Sequence, residues 1–233
     1  MDAADLQEEW RASPFGSPPA EDLSRFRGRA AGRNVVVVHL ESTGAQYLRP
    51  YGATEDPMPR LSELAGRSVL FEYAYTAYPE TIKSFFAAHC GTFPALDTRA
   101  EDYERVPAPS LAQRLSSAGY RTGLFHSGRF RYLGMESVIR DRGWNALEDA
   151  GDIGGERDSA FGIDEESAVR RVLAWIDEGP PGRPFLVTYL PIAGHHPYAA
   201  PGPGPFPMDA EIDRYRNALH YADAALGRLI DGL

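Results

Sequence analysis

The sequence predicts an α/β fold in which a mainly parallel sheet is flanked by helices. Short apolar runs alternate along the chain with segments whose apolar residues have helical spacing, a pattern typical of parallel sheets with helical crossovers. The first run, Val35–Val38, is rich in β-branched residues and apolar at every position, as in a strand buried on both faces. Similar runs at 122–125 and 184–190 predict a second and a third strand.

Apolar residues at three- and four-residue intervals predict helices between and after these strands. The predicted helices cover residues 57–66, 81–90, 110–118, 164–178 and a last segment from 212 to the chain end. Gly91 and Gly119 follow two of them, where glycine commonly ends a helix. The acidic run 164–166 is explained by the favourable interaction of carboxylates with a helix N-terminus. The Pro- and Gly-rich stretch 200–207 predicts a surface loop.

Composition predicts one sizeable domain behind a polar arm. Residues 1–33 are polar and proline-containing, which predicts an N-terminal arm or linker, and residues 34–233 form the domain. The net charge of −9 argues against a nucleic-acid-binding protein, because phosphate backbones require clustered cations. No apolar run reaches the roughly 20 residues of a membrane span, and no signal peptide is visible. We therefore expect any export or membrane-attachment signal to lie outside this sequence.

Polar residues follow each of the three predicted strands. Glu41 follows the first, His126 the second and His195 the third. Because ligands of parallel sheets bind at the carboxyl ends of the strands, we expect these side chains to share one site. Glu41 can be an oxygen ligand for a divalent cation or an ordinary acid on a turn. The histidines can contact an ester oxygen or act as general acids, or can simply be solvated.

Thr81 opens the predicted helix 81–90 and has two interpretations. Its hydroxyl can cap free backbone N–H groups, which is the commoner role. A helix N-terminus also attracts phosphate or sulfate, and a nearby metal could lower the pKa of the hydroxyl enough to make it a nucleophile. Lys83, the only lysine, lies in the first turn, where its charge opposes the helix dipole unless an anion is bound. The residues alone leave both interpretations open.

Three other residues are expected to be structural. His39 and His89 are flanked by apolar residues, which predicts that they belong to the interior. Cys90 lies among small residues late in the helix 81–90 and is better interpreted as a packed small residue than as a nucleophile. A single cysteine leaves the redox compartment open.

Two segments resemble the sulfatase and alkaline phosphatase superfamily. Residues 34–42 (NVVVVHLES) are similar to its first strand and metal-ligand turn, and residues 79–91 (PETIKSFFAAHCG) to its nucleophile helix. The resemblance makes Thr81 the nucleophile, and makes Glu41 and Thr81 ligands of one divalent ion, either Mn, Mg or Zn. A threonine excludes the formylglycine that sulfatases form from Cys or Ser, and Phe85 replaces the signature Arg.

A threonine together with a single glutamate resembles the lipoteichoic-acid-synthase-like and phosphoethanolamine-transferase-like members, which act on phosphodiesters. The likeness is closer to the synthase-like group and continues through residues 110–128, 185–198 and 215–227. It implies that His126 and His195 contact the substrate phosphate. The group's glycerol-phosphate contacts fall at Leu133 and Met135, where they are not kept, which argues against the lipoteichoic-acid reaction itself.

Two cations could serve as anion contacts instead. Arg129 lies just after the second strand, close in sequence to the lost headgroup contacts. Lys83 lies two residues after the nucleophile position, where a bound anion would offset its unfavourable interaction with the helix dipole. Both are therefore predicted substrate-binding residues.

The resemblance also implies an incomplete domain. Superfamily members carry an Asp-His pair on the strand after the long helix, and this sequence stops at Leu233. Two protein ligands hold a catalytic ion weakly, so we expect the N-terminal part of an alkaline-phosphatase-like catalytic domain, inactive as this fragment.

The implied activity is that of a hydrolase or transferase acting on phosphate or sulfate esters of small molecules, lipids or glycans. Such a site would face the outside of the cell or be associated with its membrane. Two alternatives remain: a sulfuric ester hydrolase that uses unmodified Thr81, and a non-catalytic domain of the same fold.

Overall fold

A computed structural model describes residues 22, 24–95, 99–156, 161–198 and 200–233. Within these residues, parallel strands form one sheet in the order β1-β4-β2-β3. The strands are β1 Val35–Val38, β2 Arg121–His126, β3 Ala146–Glu148 and β4 Phe185–Leu190. The α/β fold with a parallel sheet is confirmed.

Helices occupy the connections between the strands and the end of the chain. In the described ranges the α-helices are α1 Pro59–Ala65, α2 Thr81–Cys90, α3 Leu111–Ser117, α4 Glu136–Ile139, α5 Ala150–Ile153, α6 Glu165–Asp177 and α7 Glu211–Asp231. Short 3-10 helices lie at Ser24–Phe26, Ala45–Tyr47, Arg49–Tyr51, Ala100–Arg105 and Tyr132–Gly134. The long helices begin and end within two residues of the predicted positions, whereas β3, α4 and α5 were not predicted.

The sheet separates two apolar cores. Side chains of a strand alternate between its faces, so Leu124 and Leu190 point to one core, whereas Phe125 and Tyr189 point to the other. Helices α2 and α4 cover the first core, and α6 and α7 cover the second. The central strands β2 and β4 are therefore buried on both faces. The prediction that Val35–Val38 is buried on both faces is wrong, because β1 is half-buried at the edge of the described sheet and pairs with β4 alone.

Helix α7 also anchors α1. The carboxylate of Asp223 on α7 accepts backbone N–H bonds of 2.8 Å from Arg60 and 2.9 Å from Leu61. Burial raises the pKa of Asp223, while the two N–H bonds oppose that rise. The first turn of α1 thus receives its hydrogen-bond acceptor from a residue 162 or more positions along the chain.

The predicted polar arm falls mostly outside the described residues, since 1–21 and 23 are not covered. Residues 24–34 are exposed, and the backbone N–H of Gly32 donates a bond of 2.9 Å to the hydroxyl of Tyr120. The division into an arm and a domain stays a prediction. Among the described helices, none has the length and apolar character that crossing a bilayer requires.

Candidate active site

The carboxyl ends of three strands meet at one edge of the sheet. In the strand register Tyr189 of β4 pairs with Val38 of β1 and with Phe125 of β2, so the three strands end at one level. A cleft of about 1540 Å³ opens at this edge. Its lining includes Glu41, which follows β1, and His195, which follows β4, together with Thr81 at the start of α2.

Thr81 and Glu41 are in direct contact. The hydroxyl of Thr81 donates a hydrogen bond of 2.7 Å to Oε2 of Glu41, and the hydroxyl of Ser42 donates one of 3.1 Å to Oε1. Thr81 is the first residue of α2, and the N-cap position belongs to Glu80, which makes no side-chain cap bond. The Thr81 hydroxyl is therefore bonded to an acid across the cleft instead of capping its own helix.

The turn that carries Glu41 is fixed from two sides. Ser42 has φ +52°, in the left-handed region that residues other than glycine seldom adopt. The hydroxyl of Tyr215 on α7 donates a bond of 2.8 Å to the Ser42 carbonyl and accepts the N–H of Gly44 at 3.2 Å. On the other side, a Cβ at Gly194 would lie 2.9 Å from the Glu41 carbonyl oxygen. The close approach of the loop after β4 thus requires glycine there.

A histidine pair joins the elements that carry Glu41 and Thr81. His39 follows β1, His89 lies in the last turn of α2, and their Nε2 atoms are 2.9 Å apart. Burial lowers the pKa of His39 to about 4 and that of His89 to about 3, so both rings are neutral near pH 7 and one donates to the other. His89 is buried as predicted, whereas His39 is half-buried and lines the cleft.

His195 faces the cleft from the loop after β4. Its Nδ1 lies 2.8 Å from the His196 carbonyl oxygen, and because a carbonyl can only accept, Nδ1 carries a proton. In the neutral ring, Nε2 therefore keeps its lone pair. The backbone N–H of His195 donates a bond of 2.8 Å to the Ile192 carbonyl, which closes a tight turn and sets the position of the ring.

His126 ends β2 but is buried and does not belong to the cleft lining. Its Nδ1 donates a bond of 2.9 Å to the Leu190 carbonyl, and its ring stacks on Phe130 with 5.7 Å between ring centres. Burial lowers the pKa of His126, which keeps the ring neutral. A Cβ at Gly128 would lie 2.6 Å from Nε2, so the glycine backbone covers that nitrogen closely.

Lys83 and Arg129 also lie outside the cleft lining. The Nζ atom of Lys83 is 4.3 Å from the ring centre of Tyr78 and 3.7 Å from Oε2 of Glu80. Nε of Arg129 forms an ion pair of 3.2 Å with Oδ1 of Asp149. Both cations are thus engaged with neighbouring side chains.

Two features of the site have no counterpart in the sequence predictions. Tyrosines line much of the cleft, and they come from widely separated segments: Tyr47, Tyr75, Tyr78, Tyr198 and Tyr215. Glu165 is 1% exposed and lies beneath the cleft loops. Acids are common in the first turn of a helix, so the residues around Glu165 do not indicate that this one is buried.

Burial raises the pKa of Cys90 to about 11, which fits a packed thiol and not a nucleophile.

Glu41 and Thr81 fit part of a divalent-cation site. Carboxylate and hydroxyl oxygens are the donors that hard cations prefer, and the 2.7 Å between them lets one ion touch both. Within the described ranges, no group of three or more His, Cys, Asp or Glu side chains is arranged to hold a metal. The pair would supply two ligands and not a complete coordination shell.

The parallel sheet between two helical layers, with a hydroxyl and an acid at its carboxyl edge, defines an alkaline-phosphatase-like α/β fold. The model of the Sulfatase family matches residues 33–233. The chain belongs to this family, which confirms the superfamily expected from residues 34–42 and 79–91.

Known relatives are longer than this chain. Lipoteichoic acid synthase-like YvgJ of Bacillus subtilis (strain 168) is 23% identical over 226 residues, which are 91% of this chain and 36% of that protein. The lipoteichoic acid synthase LtaP from Listeria monocytogenes superposes with a TM-score of 0.79 at 21% identity, over 99% of this chain and 58% of that one. A protein of the alkaline phosphatase superfamily from Vibrio parahaemolyticus superposes with a TM-score of 0.75 at 21% identity, over 86% of this chain and 50% of that one.

One solved structure of the same fold contains a metal. The C-terminal periplasmic domain of EcEptC from Escherichia coli, in complex with Zn, superposes with a TM-score of 0.63 at 18% identity, over 86% of this chain and 59% of that one. Divalent-metal use therefore occurs among proteins of this fold.

Proposed function

We propose that this chain carries the nucleophile and one metal ligand of an enzyme that hydrolyses or transfers a phosphodiester group. Thr81 is the nucleophile, and Glu41 and Thr81 bind one divalent ion, either Mn, Mg or Zn. The observation that supports this most directly is the hydrogen bond of 2.7 Å between the Thr81 hydroxyl and the Glu41 carboxylate inside the cleft. A threonine hydroxyl is a weak nucleophile unless a partner activates it.

The residues of this chain divide the reaction between them. A bound divalent ion would lower the pKa of the Thr81 hydroxyl and polarise the ester. Glu41 orients Thr81 Oγ1, which forms a bond to phosphorus as the bond to the leaving oxygen breaks. The oxygen of water or of an acceptor hydroxyl then bonds to phosphorus, the bond from phosphorus to Thr81 Oγ1 breaks, and the proton of the attacking oxygen passes to His195. His195 donates a proton to the leaving oxygen when its ring is protonated, and accepts one from the acceptor when it is neutral.

Three further residues are proposed as substrate contacts. His126, Lys83 and Arg129 are each bonded to protein groups in the described structure. They would contact an anionic substrate by exchanging those partners for its oxygens. His195, which already lines the cleft, is the substrate contact that the geometry supports best.

The phosphodiester is preferred over a sulfate ester for a chemical reason. Thr81 cannot be converted into the formylglycine that sulfatases use, so sulfate transfer would have to proceed through an unmodified hydroxyl. The similarity to the lipoteichoic acid synthase-like YvgJ and to the lipoteichoic acid synthase LtaP supports the same preference. We propose a small-molecule, lipid or glycan ester as the substrate. We also propose an extracytoplasmic or membrane-associated site, which the similarity of fold to the periplasmic domain of EcEptC supports.

The test compares turnover of a bis-aryl phosphodiester with that of an aryl sulfate, using the natural full-length protein and this 233-residue chain in parallel. We expect the phosphodiester to be the better substrate. We expect little turnover from this chain alone, because two protein ligands retain an ion poorly. A preference for the sulfate ester would support the sulfuric ester hydrolase instead.

Variants of the nucleophile helix decide the role of Thr81. Thr81→Ala should lower kcat by at least about 10³-fold, as removal of other catalytic nucleophiles does, and Thr81→Ser should retain part of it. Ser84→Ala is the matched control, because it removes another cleft-lining hydroxyl of α2, one bonded to the Glu80 carbonyl at 2.8 Å. Equal activity of wild type and Thr81→Ala would remove Thr81 from the mechanism. Absence of both bound metal and turnover in the full-length protein would favour a non-catalytic domain.

A further inference from the structure

A buried carboxylate lies beneath the loops that form one wall of the cleft. Glu165, the first residue of α6, is 1% exposed. Its Oε1 accepts backbone N–H bonds of 2.8 Å from both Ile192 and Ala193, and a bond of 3.1 Å from the hydroxyl of Ser127. Its Oε2 accepts a hydrogen bond from the hydroxyl of Tyr189. Both oxygens are thus occupied by donors from β4 and from the segments that follow β2 and β4.

These contacts lead directly to His195. Ile192 and Ala193 open the turn that ends with the bond of 2.8 Å from the His195 N–H to the Ile192 carbonyl. Glu165 therefore holds the amino-terminal end of this turn, and the turn determines where the His195 ring enters the cleft. The next residue, Gly194, packs against the Glu41 carbonyl. A shift of the turn would consequently displace both a proposed substrate contact and the turn of the proposed metal ligand.

The same carboxylate joins the turn to β2. Ser127 follows His126 and is completely buried. Its hydroxyl donates to Glu165 and accepts the Ile192 N–H at 3.1 Å. The segments after β2 and β4 are therefore linked both directly, through Ser127 and Ile192, and through a buried carboxylate that comes from a third element, α6.

We propose that Glu165 is a positioning residue, which holds the turn 192–195 against the end of β2 and so sets His195 in the cleft. This inference rests on the proposed function only for its effect on turnover, because the hydrogen-bond arrangement can be tested separately. A helix-dipole role does not require burial or long-range partners, whereas the contacts of Glu165 reach residues 24 to 38 positions away.

The arrangement needs an acceptor more than it needs a negative charge. Burial raises the pKa of Glu165 to about 7, against the lowering effect of its donors. Near neutral pH the carboxyl is therefore partly protonated, and its proton can be given to the Tyr189 oxygen. Glutamine reproduces this state, since its Oε1 can accept from Ile192 and Ala193 while its amide donates to Tyr189.

The experiment compares Glu165→Gln and Glu165→Leu in the full-length protein. We expect Glu165→Gln to keep kcat within about threefold. We expect Glu165→Leu to lower kcat by about 10- to 100-fold with KM changed by less than about threefold, because misplacing a catalytic group mainly affects the transition state. Amide hydrogen exchange at Ile192 and Ala193 should accelerate in Glu165→Leu and stay slow in Glu165→Gln.

Asp223→Leu is the matched control for stability. Asp223 is also 1% exposed and accepts two backbone N–H bonds, but it anchors α1 and does not line the cleft. Asp223→Leu should lower the thermal midpoint of unfolding as Glu165→Leu does, while its kcat should stay within about threefold of the wild-type value. If Glu165→Leu does not fold, Ser127→Ala carries the test, with faster exchange at Ile192 and a fall in kcat of about three- to tenfold expected.

The outcomes separate this inference from the proposed function. Unchanged amide exchange at Ile192 and Ala193 in Glu165→Leu would overturn the positioning role, as would equal losses of kcat in Glu165→Leu and Asp223→Leu. If the proposed function fails, so that Thr81→Ala keeps full activity, the exchange measurement still decides whether Glu165 holds the turn.

Discussion

His89 should make the stability of this fold sensitive to acid, and His89→Phe should remove that part of the sensitivity. The ring is 5% exposed, stacks on Phe85 with 4.3 Å between ring centres, and has a buried Nδ1 that makes no hydrogen bond among the described residues. A proton on it would be a charge in an apolar site. Phenylalanine has a similar shape and cannot be protonated.

The magnitude follows from the pKa of His89, which burial lowers from 6.5 to about 3. Because the folded pKa is the lower one, the unfolded chain binds the proton first, and the folded state is fully favoured only above about pH 6.5. Stability is then lost as the pH falls towards the folded pKa. At pH 5 the free energy of unfolding should be lower by about 2 kcal/mol than at pH 7 on account of His89.

Urea unfolding at pH 7, 6 and 5, followed by tryptophan fluorescence, measures this effect. Trp144 packs edge-on against His89 with 5.4 Å between ring centres, so its emission reports on the same part of the core. We expect His89→Phe to lose about 2 kcal/mol less than wild type between pH 7 and pH 5. His196→Gln, a change at an exposed histidine, should follow wild type. Parallel pH profiles of wild type and His89→Phe would refute the reasoning.

Four further outcomes are expected. Asp223→Ala should lower the free energy of unfolding by about 1–3 kcal/mol, measured in urea at pH 7, because two buried N–H groups at the start of α1 lose their acceptor. Gly194→Ala should cost about 1–3 kcal/mol in thermal unfolding and reduce turnover, because its Cβ would press on the Glu41 carbonyl. Burial raises the pKa of Glu165 from 4.5 to about 7, so the contribution of this carboxyl to stability should decrease as the pH rises through this range; the free energy of unfolding of wild type relative to Glu165→Gln, measured in urea, should therefore fall between pH 5 and pH 7. Treatment of the full-length protein with a chelator should abolish turnover, and Mn, Mg or Zn should restore it.

The sequence predicted those parts of the fold that have a strong local pattern. The strands at 35–38 and 185–190 have short runs rich in apolar residues, and helices such as 165–177 have clear helical spacing. Because all these strands run parallel, their ends had to meet at one edge, and this is why Glu41, His126 and His195 were expected near one another. Thr81 was placed beside Glu41 by the superfamily resemblance of residues 79–91. Strand β3, Ala146–Glu148, has three residues and its central Leu147 is exposed, which is too short for a periodic signal.

The direction of individual side chains could not be predicted in this way. His126 and His195 both follow strands, yet one ring turns into the interior towards Leu190 and the other lines the cleft. The spacing of residues along the chain predicts where a strand ends. It does not predict the rotamer of the side chain that follows, because that rotamer depends on neighbours from other segments. The same limit applies to Glu165, because its partners come from β4 and from the segments after β2 and β4, whereas its own sequence context explains only the start of the helix.

The position of Lys83 allows local opening at the start of α2 to be measured chemically. Lys83 is the only lysine in the sequence and lies two residues after Thr81. It is 7% exposed, and its amine lies against the Tyr78 ring and beside Glu80. An acylating reagent reacts with this amine when its contacts with Tyr78 and Glu80 open. Peptide mass mapping separates that reaction from labelling of the N-terminal amine. The rate at which Lys83 is acylated therefore measures how often these contacts open, two residues from Thr81, and no other lysine contributes to the measured rate.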